Sequence, residues 1–160
     1  MEQIERLPMG RSDSLGYVIN HLARLMEQAL RDRIAEHGVV PGQFAQLLAL
    51  YEEEGISQLQ LCEKVRIDQS TMAHTLKRME RDGLVQRIAD PRDGRRTLIY
   101  LTDRSRALRA ALTTAAREVN DHATEGFSDV DGDELIRMVR QSIGNLEAHR
   151  GAGSSKRGTS

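Results

Sequence analysis

The chain has 160 residues, 39% apolar and 29% charged, with a formal net charge of −1 at pH 7. These values suit one soluble globular domain with a core of its own. Apolar runs only a few residues long exclude a membrane span, and Met1–Gly10 carries charges rather than the apolar run of a signal peptide. The single cysteine, Cys62, excludes an intrachain disulfide, so a cytoplasmic location with no membrane partner is the expectation. Tryptophan is absent and there are only two Phe and three Tyr, so the core must be built from aliphatic side chains and Met.

The first helix is predicted over about Asp13–His37. Leu15, Val18, Ile19, Leu22, Leu25, Met26, Ala29 and Ile34 recur at helical spacing, and Gly38 follows as a stop. Pro41 opens a second helix whose stripe is Phe44, Leu47, Leu48 and Tyr51, ended by Gly55. Ser57 with Gln60 reads as a capping box and starts a short third helix carrying Leu59, Leu61, Cys62 and Val65. After Arg66-Ile67, Asp68 caps a fourth helix that runs to about Asp82 and stops at Gly83. Two short helices across a tight break fit a helix-turn-helix.

Leu84–Ala89 and Thr97–Leu101 are predicted strands, with Asp90-Pro91-Arg92-Asp93-Gly94-Arg95-Arg96 between them. Asp-Gly marks the expected turn, which places three arginines at or near the tip of a hairpin. Thr102 caps a fifth helix carrying Leu108, Ala111, Leu112, Ala115 and Val119. Asp131 and Glu134 read as the start of a sixth, with Leu135, Met138, Val139, Ile143 and Leu146. Residues 150–160, rich in Gly and Ser, read as a disordered tail. The predicted fold class is mainly α with a small β wing.

Charge is unevenly distributed. Residues 74–106 hold nine Lys/Arg against five Asp/Glu, whereas residues 1–73 hold seven against eleven. On a helical wheel of the fourth helix, Ser70, His74, Lys77, Arg78 and Arg81 share about a quarter of the circumference, opposite Met72, Leu76 and Met79. A basic face on a helix-turn-helix suits the major groove. Gln69, Ser70, Thr71 and His74, near the N-terminus, are the candidates for base readout; Lys77, Arg78 and Arg81 are the candidates for phosphates. Arg92, Arg95 and Arg96 on the hairpin suit a narrow minor groove, with Asp93 and Asp90 as side-chain partners for the arginines. Against these stand blander readings: a solvated basic helix face and a solvated turn.

The stretch Ile67–Met72, followed by Leu76-Lys77-Arg78-Met79-Glu80-Arg81-Asp82-Gly83-Leu84-Val85, resembles the recognition-helix signature of the MarR family. Asp90–Arg96 with Leu101-Thr102 resembles that family's wing and the start of its next helix. The resemblance spans roughly residues 12–149. It implies a winged helix-turn-helix with a DNA-binding lobe at about 41–101 and dimerisation helices at about 12–38 and 103–149. It also implies a homodimer on an inverted-repeat duplex operator, and a ligand-responsive repressor. Recognition contacts fall on Ser70, Thr71, His74 and Arg78, and the wing contact on Arg95. A small phenolic or carboxylate effector is implied, with Tyr17, His21, Phe44, Leu48 and Tyr51 as candidate pocket residues. On the residues alone, His21 reads rather as a hydrogen-bonded interface histidine, and Phe44 and Leu48 rather as core than as pocket.

Cys62 among apolar neighbours reads as a structural thiol rather than a redox sensor. His21, His37, His74, His122 and His149 include no pair at ligand spacing, so no metal and no cofactor is expected. No nucleophile elbow, phosphate-cradling glycine loop or dinucleotide fingerprint is present, which argues against an enzyme. The alternative to a DNA reader is a winged-helix module that binds a protein without specific DNA binding.

Overall fold

The computed structural model describes residues 10–154. In chain order it has α1 (Leu15–Ile34), α2 (Pro41–Glu52), β1 (Ile56–Ser57), α3 (Gln58–Val65), α4 (Gln69–Arg81), β2 (Val85–Asp90), β3 (Asp93–Leu101), α5 (Asp103–Ala123) and α6 (Asp129–Ser154). The chain divides into two compact units, one up to Asn120 and one from Asp121. The fold is mainly helical with a small antiparallel sheet, as the sequence predicts.

Local signals place most helix ends. The Ser14 hydroxyl caps α1, accepting from the Tyr17 amide at 3.4 Å. The single helix predicted over 13–37 is α1 flanked by 3₁₀ turns at Arg11–Asp13 and Ala35–His37, because tighter end turns satisfy orphan backbone groups. Gly38 ends the segment at φ 69°. Pro41 is the first residue of α2, and the Gln43 side chain accepts the Val40 amide at 3.3 Å. The Ser57–Gln60 box forms in both directions, at 3.2 and 2.9 Å. Arg66, at φ 59°, makes the turn between α3 and α4. Asp68 caps α4 through the Thr71 amide at 2.8 Å. At the far end of α4, Leu84 N–H bonds to Met79 C=O and Gly83 N–H to Glu80 C=O, the pattern of a Schellman stop with Gly83 left-handed.

The sheet differs from the sequence reading in three ways. It has a third strand, β1, and its order is β1-β3-β2. β1 is two residues long and exists only through its pairing with β3, Ile56 opposite Ile99, so no local pattern announces it. The hairpin turns at Pro91-Arg92, with Asp90 opposite Asp93, rather than at Asp93-Gly94. The pairing then steps from Asp90–Asp93 to Ala89–Thr97, leaving Gly94, Arg95 and Arg96 as an irregularity within β3.

The start of α6 also needs correction. Ser128 is the capping residue and Asp131 its reciprocal partner, with Ser128 Oγ accepting the Asp131 amide at 3.2 Å and Asp131 accepting the Ser128 amide at 3.2 Å. Glu134 lies one turn on and pairs with Arg137 instead. α6 continues to Ser154, into the segment predicted as tail; residues 155–160 lie outside those described.

In the first unit, one buried cluster joins Leu47 and Leu50 of α2, Leu61 of α3, Met72, Leu76 and Met79 of α4, Leu84, and Ile99 and Leu101 of β3, with Leu112 of α5. Burying each such side chain contributes about 1.5–3 kcal/mol. α3 turns Leu61 and Cys62 inward, while Leu59 is 52% exposed. Leu76→Ala is therefore expected to destabilise the fold by about 2–5 kcal/mol, and Leu59→Ala by less than about 0.5 kcal/mol. Urea unfolding of the two variants checks the contrast; equal losses would mean that α4 does not dock by this face.

Candidate nucleic-acid interface

Met72, Leu76 and Met79 are fully buried, so α4 has one angular choice and turns its opposite face to solvent. Gln69, Ser70, Thr71, His74, Lys77, Arg78 and Arg81 are all exposed there. The Gln69 carbonyl is tied to α3 by the Gln58 side-chain amide at 3.2 Å. The Thr71 hydroxyl donates to Asp68 at 2.6 Å. That bond and the Thr71 amide hold the Asp68 carboxyl below its ordinary range. Arg81 Nε bonds to Asp82 at 3.0 Å, and this, followed by the Gln43 side chain, lowers Asp82 as well. Arg87, which the sequence reading passed over, meets Glu80 at 3.1 Å and ties the wing to α4.

Arg92, Arg95 and Arg96 are exposed. The expectation that Asp90 and Asp93 hold arginine side chains is corrected. Asp90 accepts the Arg92 backbone amide at 2.9 Å and Asp93 accepts that of Arg95 at 3.1 Å. These are local turn bonds of the kind Asp favours, and they shape the loop rather than neutralise the guanidinium groups. Among the described residues none of the three arginines has an ion-pair partner.

The predicted effector residues do not gather in one place. Tyr17 and His21 stack with ring centroids 6.5 Å apart on the exposed face of α1. Phe44 is buried in the core, and Leu48 packs against it. Tyr51 lines a cleft of about 340 Å³ with Leu50, Glu52, Glu54, Leu101, Arg106 and Arg109. There the Arg109 guanidinium sits 5.5 Å from the Tyr51 ring centroid, the Tyr51 hydroxyl donates to the Ser105 carbonyl at 2.7 Å, and burial raises the phenol. Arg106 is bound by Glu54 at 2.9 Å. Arg106 and Arg109 were missed because their relation to Tyr51 is a contact between distant segments. Cys62 is buried and its thiol is pushed up, chiefly by burial.

The model of the MarR family matches residues 40–97, from the start of α2 into the wing. A probable transcriptional regulator from Pseudomonas aeruginosa has a solved structure that is 31% identical, covers 81% of this chain and 97% of that one, and superposes with a TM-score of 0.74. The chain belongs to the MarR family. TtmR, an HTH-type transcriptional regulator from Methylorubrum extorquens, is 29% identical over 93% of this chain and 74% of its own. CouR has been solved bound to a 23-mer DNA duplex, with 26% identity, coverage of 87% and 99%, and a TM-score of 0.71. CouR from Rhodococcus jostii RHA1 has also been solved bound to p-coumaroyl-CoA, with 25% identity, coverage of 85% and 96%, and a TM-score of 0.73. MarR-family proteins are transcriptional regulators rather than enzymes, and this one is a DNA-binding regulator with a winged helix. No helix among the described residues is long and apolar enough to cross a membrane, and none of their His, Cys, Asp and Glu side chains cluster as a metal site.

The cap of α4 has a pH signature. The Asp68 carboxyl is lowered in the folded state, so its contribution is present above its ordinary value of 3.8 and is lost as pH falls through the depressed folded value. Asp68→Ala is expected to lower Tm at pH 7. The gap to wild type should close at pH values below the ordinary carboxylate range. A gap of constant size across acid pH would show that the carboxylate is not what caps α4.

Proposed function

We propose that this MarR-family regulator is a repressor that binds an inverted-repeat operator as a homodimer and releases it in response to a small ligand. The observation that carries the reading is the exposed basic face of α4, beside a wing whose three arginines have no ion-pair partner among the described residues. Gln69, Ser70, Thr71 and His74 meet base edges in the major groove. Lys77, Arg78 and Arg81 meet phosphates, and Arg92, Arg95 and Arg96 serve the wing, with Arg95 in the minor groove. Because the Thr71 hydroxyl already donates to Asp68, it meets DNA as an acceptor and through its methyl group.

Unpartnered apolar faces support the dimer. On α1, Leu15, Val18, Leu22 and Leu25 are exposed, and so are Val130, Ile136, Met138 and Leu146 of α6 in the second unit. Faces of this kind on a monomer mark association surfaces. Two recognition helices must then stand about 34–36 Å apart to enter successive major grooves. A ligand that favours another separation releases DNA. CouR, solved bound to a DNA duplex and also bound to p-coumaroyl-CoA, is the precedent for binding both kinds of partner. A phenolic or carboxylate effector suits Tyr17 and His21 at the α1 face or Tyr51 at the cleft, while Phe44 and Leu48 belong to the core.

Selection from a random duplex library at near-physiological salt tests the reading. An inverted repeat with half-sites about one helical turn apart is expected. Recovery of no sequence by a folded protein would overturn it in favour of the protein-binding module. Sedimentation should give a dimer at micromolar concentration. On the selected operator, Arg95→Ala should weaken binding most where the flanks are A·T-rich, and His74→Ala should change base preference more than non-specific affinity. Equal affinity for Arg95→Ala and wild type would remove the wing contact from the account.

A further inference from the structure

The end of α4 is held by the start of α5 through three consecutive carbonyls. Asp82 C=O accepts from the Arg104 guanidinium. Gly83 C=O accepts from the Thr102 hydroxyl at 2.7 Å, and Leu84 C=O from the Ser105 hydroxyl at 2.5 Å. The internal Schellman bonds use the carbonyls of Met79 and Glu80, so they leave these three for other donors. The Thr102 and Ser105 hydroxyls reach no carbonyl outside that segment. Arg104 does more, because its second nitrogen, Nη2, donates to the His37 carbonyl at 2.8 Å in the turn that follows α1. One planar guanidinium thus caps the C-terminal ends of two helical segments, where the carbonyl dipoles favour a cation.

The surroundings are shaped for this reach. Gly38 is left-handed at φ 69°, and a Cβ built on it would stand 2.8 Å from Arg104 Nη2. Glycine thus suits both the left-handed backbone and the approach of the arginine, which a Cβ would push aside. Buried Gln43 of α2 donates to the Asp82 carboxylate at 2.8 Å from the other side. Asp82 is held by α2 through its side chain and by α5 through its carbonyl. Arg104 itself is exposed, so it adds little to the buried core.

We infer that Arg104 is a positioning residue for DNA recognition: it ties the end of the recognition helix to the turn after α1 and so sets the angle at which α4 is presented. The inference rests on the reading of α4 as the base-reading element. A guanidinium bridging two carbonyls fixes a direction, whereas a lysine ammonium supplies the charge without the planar fork. Without the bridge, α4 keeps its docked face but gains freedom at its C-terminal end, and base contacts lose register before phosphate contacts do.

The test uses the full-length protein with Arg104→Ala and Arg104→Lys. Affinity is measured for the selected operator and for a scrambled duplex of equal length over a range of salt. The expected result for Arg104→Ala is a drop of about tenfold in the ratio of specific to non-specific affinity, comparable to losing one base-pair contact. The salt slope should not change, and Arg104→Lys should recover only part of the ratio. If both affinities fall together and the slope shrinks by about one, Arg104 is a phosphate contact and the inference is overturned. An unchanged ratio overturns it equally. Hydrogen exchange without DNA gives a second readout: the amides of residues 82–84 should exchange faster in Arg104→Ala, while those of α2 keep their protection. Unchanged exchange at 82–84 would overturn the bridge. A sequence-blind wild type with the expected exchange change would place the failure in the DNA reading. Should Arg104→Ala not fold, Arg104→Lys decides by the same two measurements.

Discussion

The presentation of α4 and of the wing that follows it depends on the docking of α4 by Met72, Leu76 and Met79. These three side chains are fully buried in one cluster with Leu47, Leu50, Leu61 and Leu84. Because they recur at helical spacing, burying them leaves α4 no rotational freedom about its axis. The polar face is then presented as a rigid surface. The backbone that carries its side chains is already ordered, so only side-chain rotamers are left to be fixed by a contact. A helix with the same basic face but a weaker apolar stripe would present the same residue types without a fixed register.

Around that docked helix the polar bonds act at the ends. Asp68 holds the first turn through Thr71, and Gln58 of α3 reaches the Gln69 carbonyl. At the last turn, Gly83 stops the helix and residues 102–105 take up the carbonyls of 82–84. The hairpin follows directly and is joined to α4 by Arg87 and Glu80. Helix, wing and the start of α5 are thus one connected frame.

The electrostatic arrangement explains how a chain of net charge −1 binds a polyanion. The positive groups are gathered on α4 and the wing, and local acids there are occupied with backbone amides. Asp68, Asp90 and Asp93 each accept from a main-chain N–H. Negative charge needed to shape these turns is thereby engaged with the backbone, and Arg92, Arg95 and Arg96 stay unpaired among the described residues, whereas Arg81 pairs with Asp82 and Arg87 with Glu80. The acidic excess lies instead in residues 1–73, away in sequence from the basic segment.

Helix periodicity, the Ser57 and Asp68 caps, the Gly38 and Gly83 stops and the polar face of α4 were all legible in the sequence. Each is decided within about one turn of chain, by the spacing of apolar residues or by a side chain reaching its own backbone. The family resemblance rested on the same local runs. What only the tertiary structure decided is everything that joins distant segments. β1 forms because Ile56 meets Ile99. The hairpin turns at Pro91-Arg92 because strand pairing outweighs the Asp-Gly signal. The cleft at Tyr51 needs α5 to bring Arg109 over the ring, and the bridge at Arg104 joins residues 37, 82 and 104. Such contacts depend on which segments the core brings together, and hydrophobic burial is non-directional along the chain. No local pattern carries that choice.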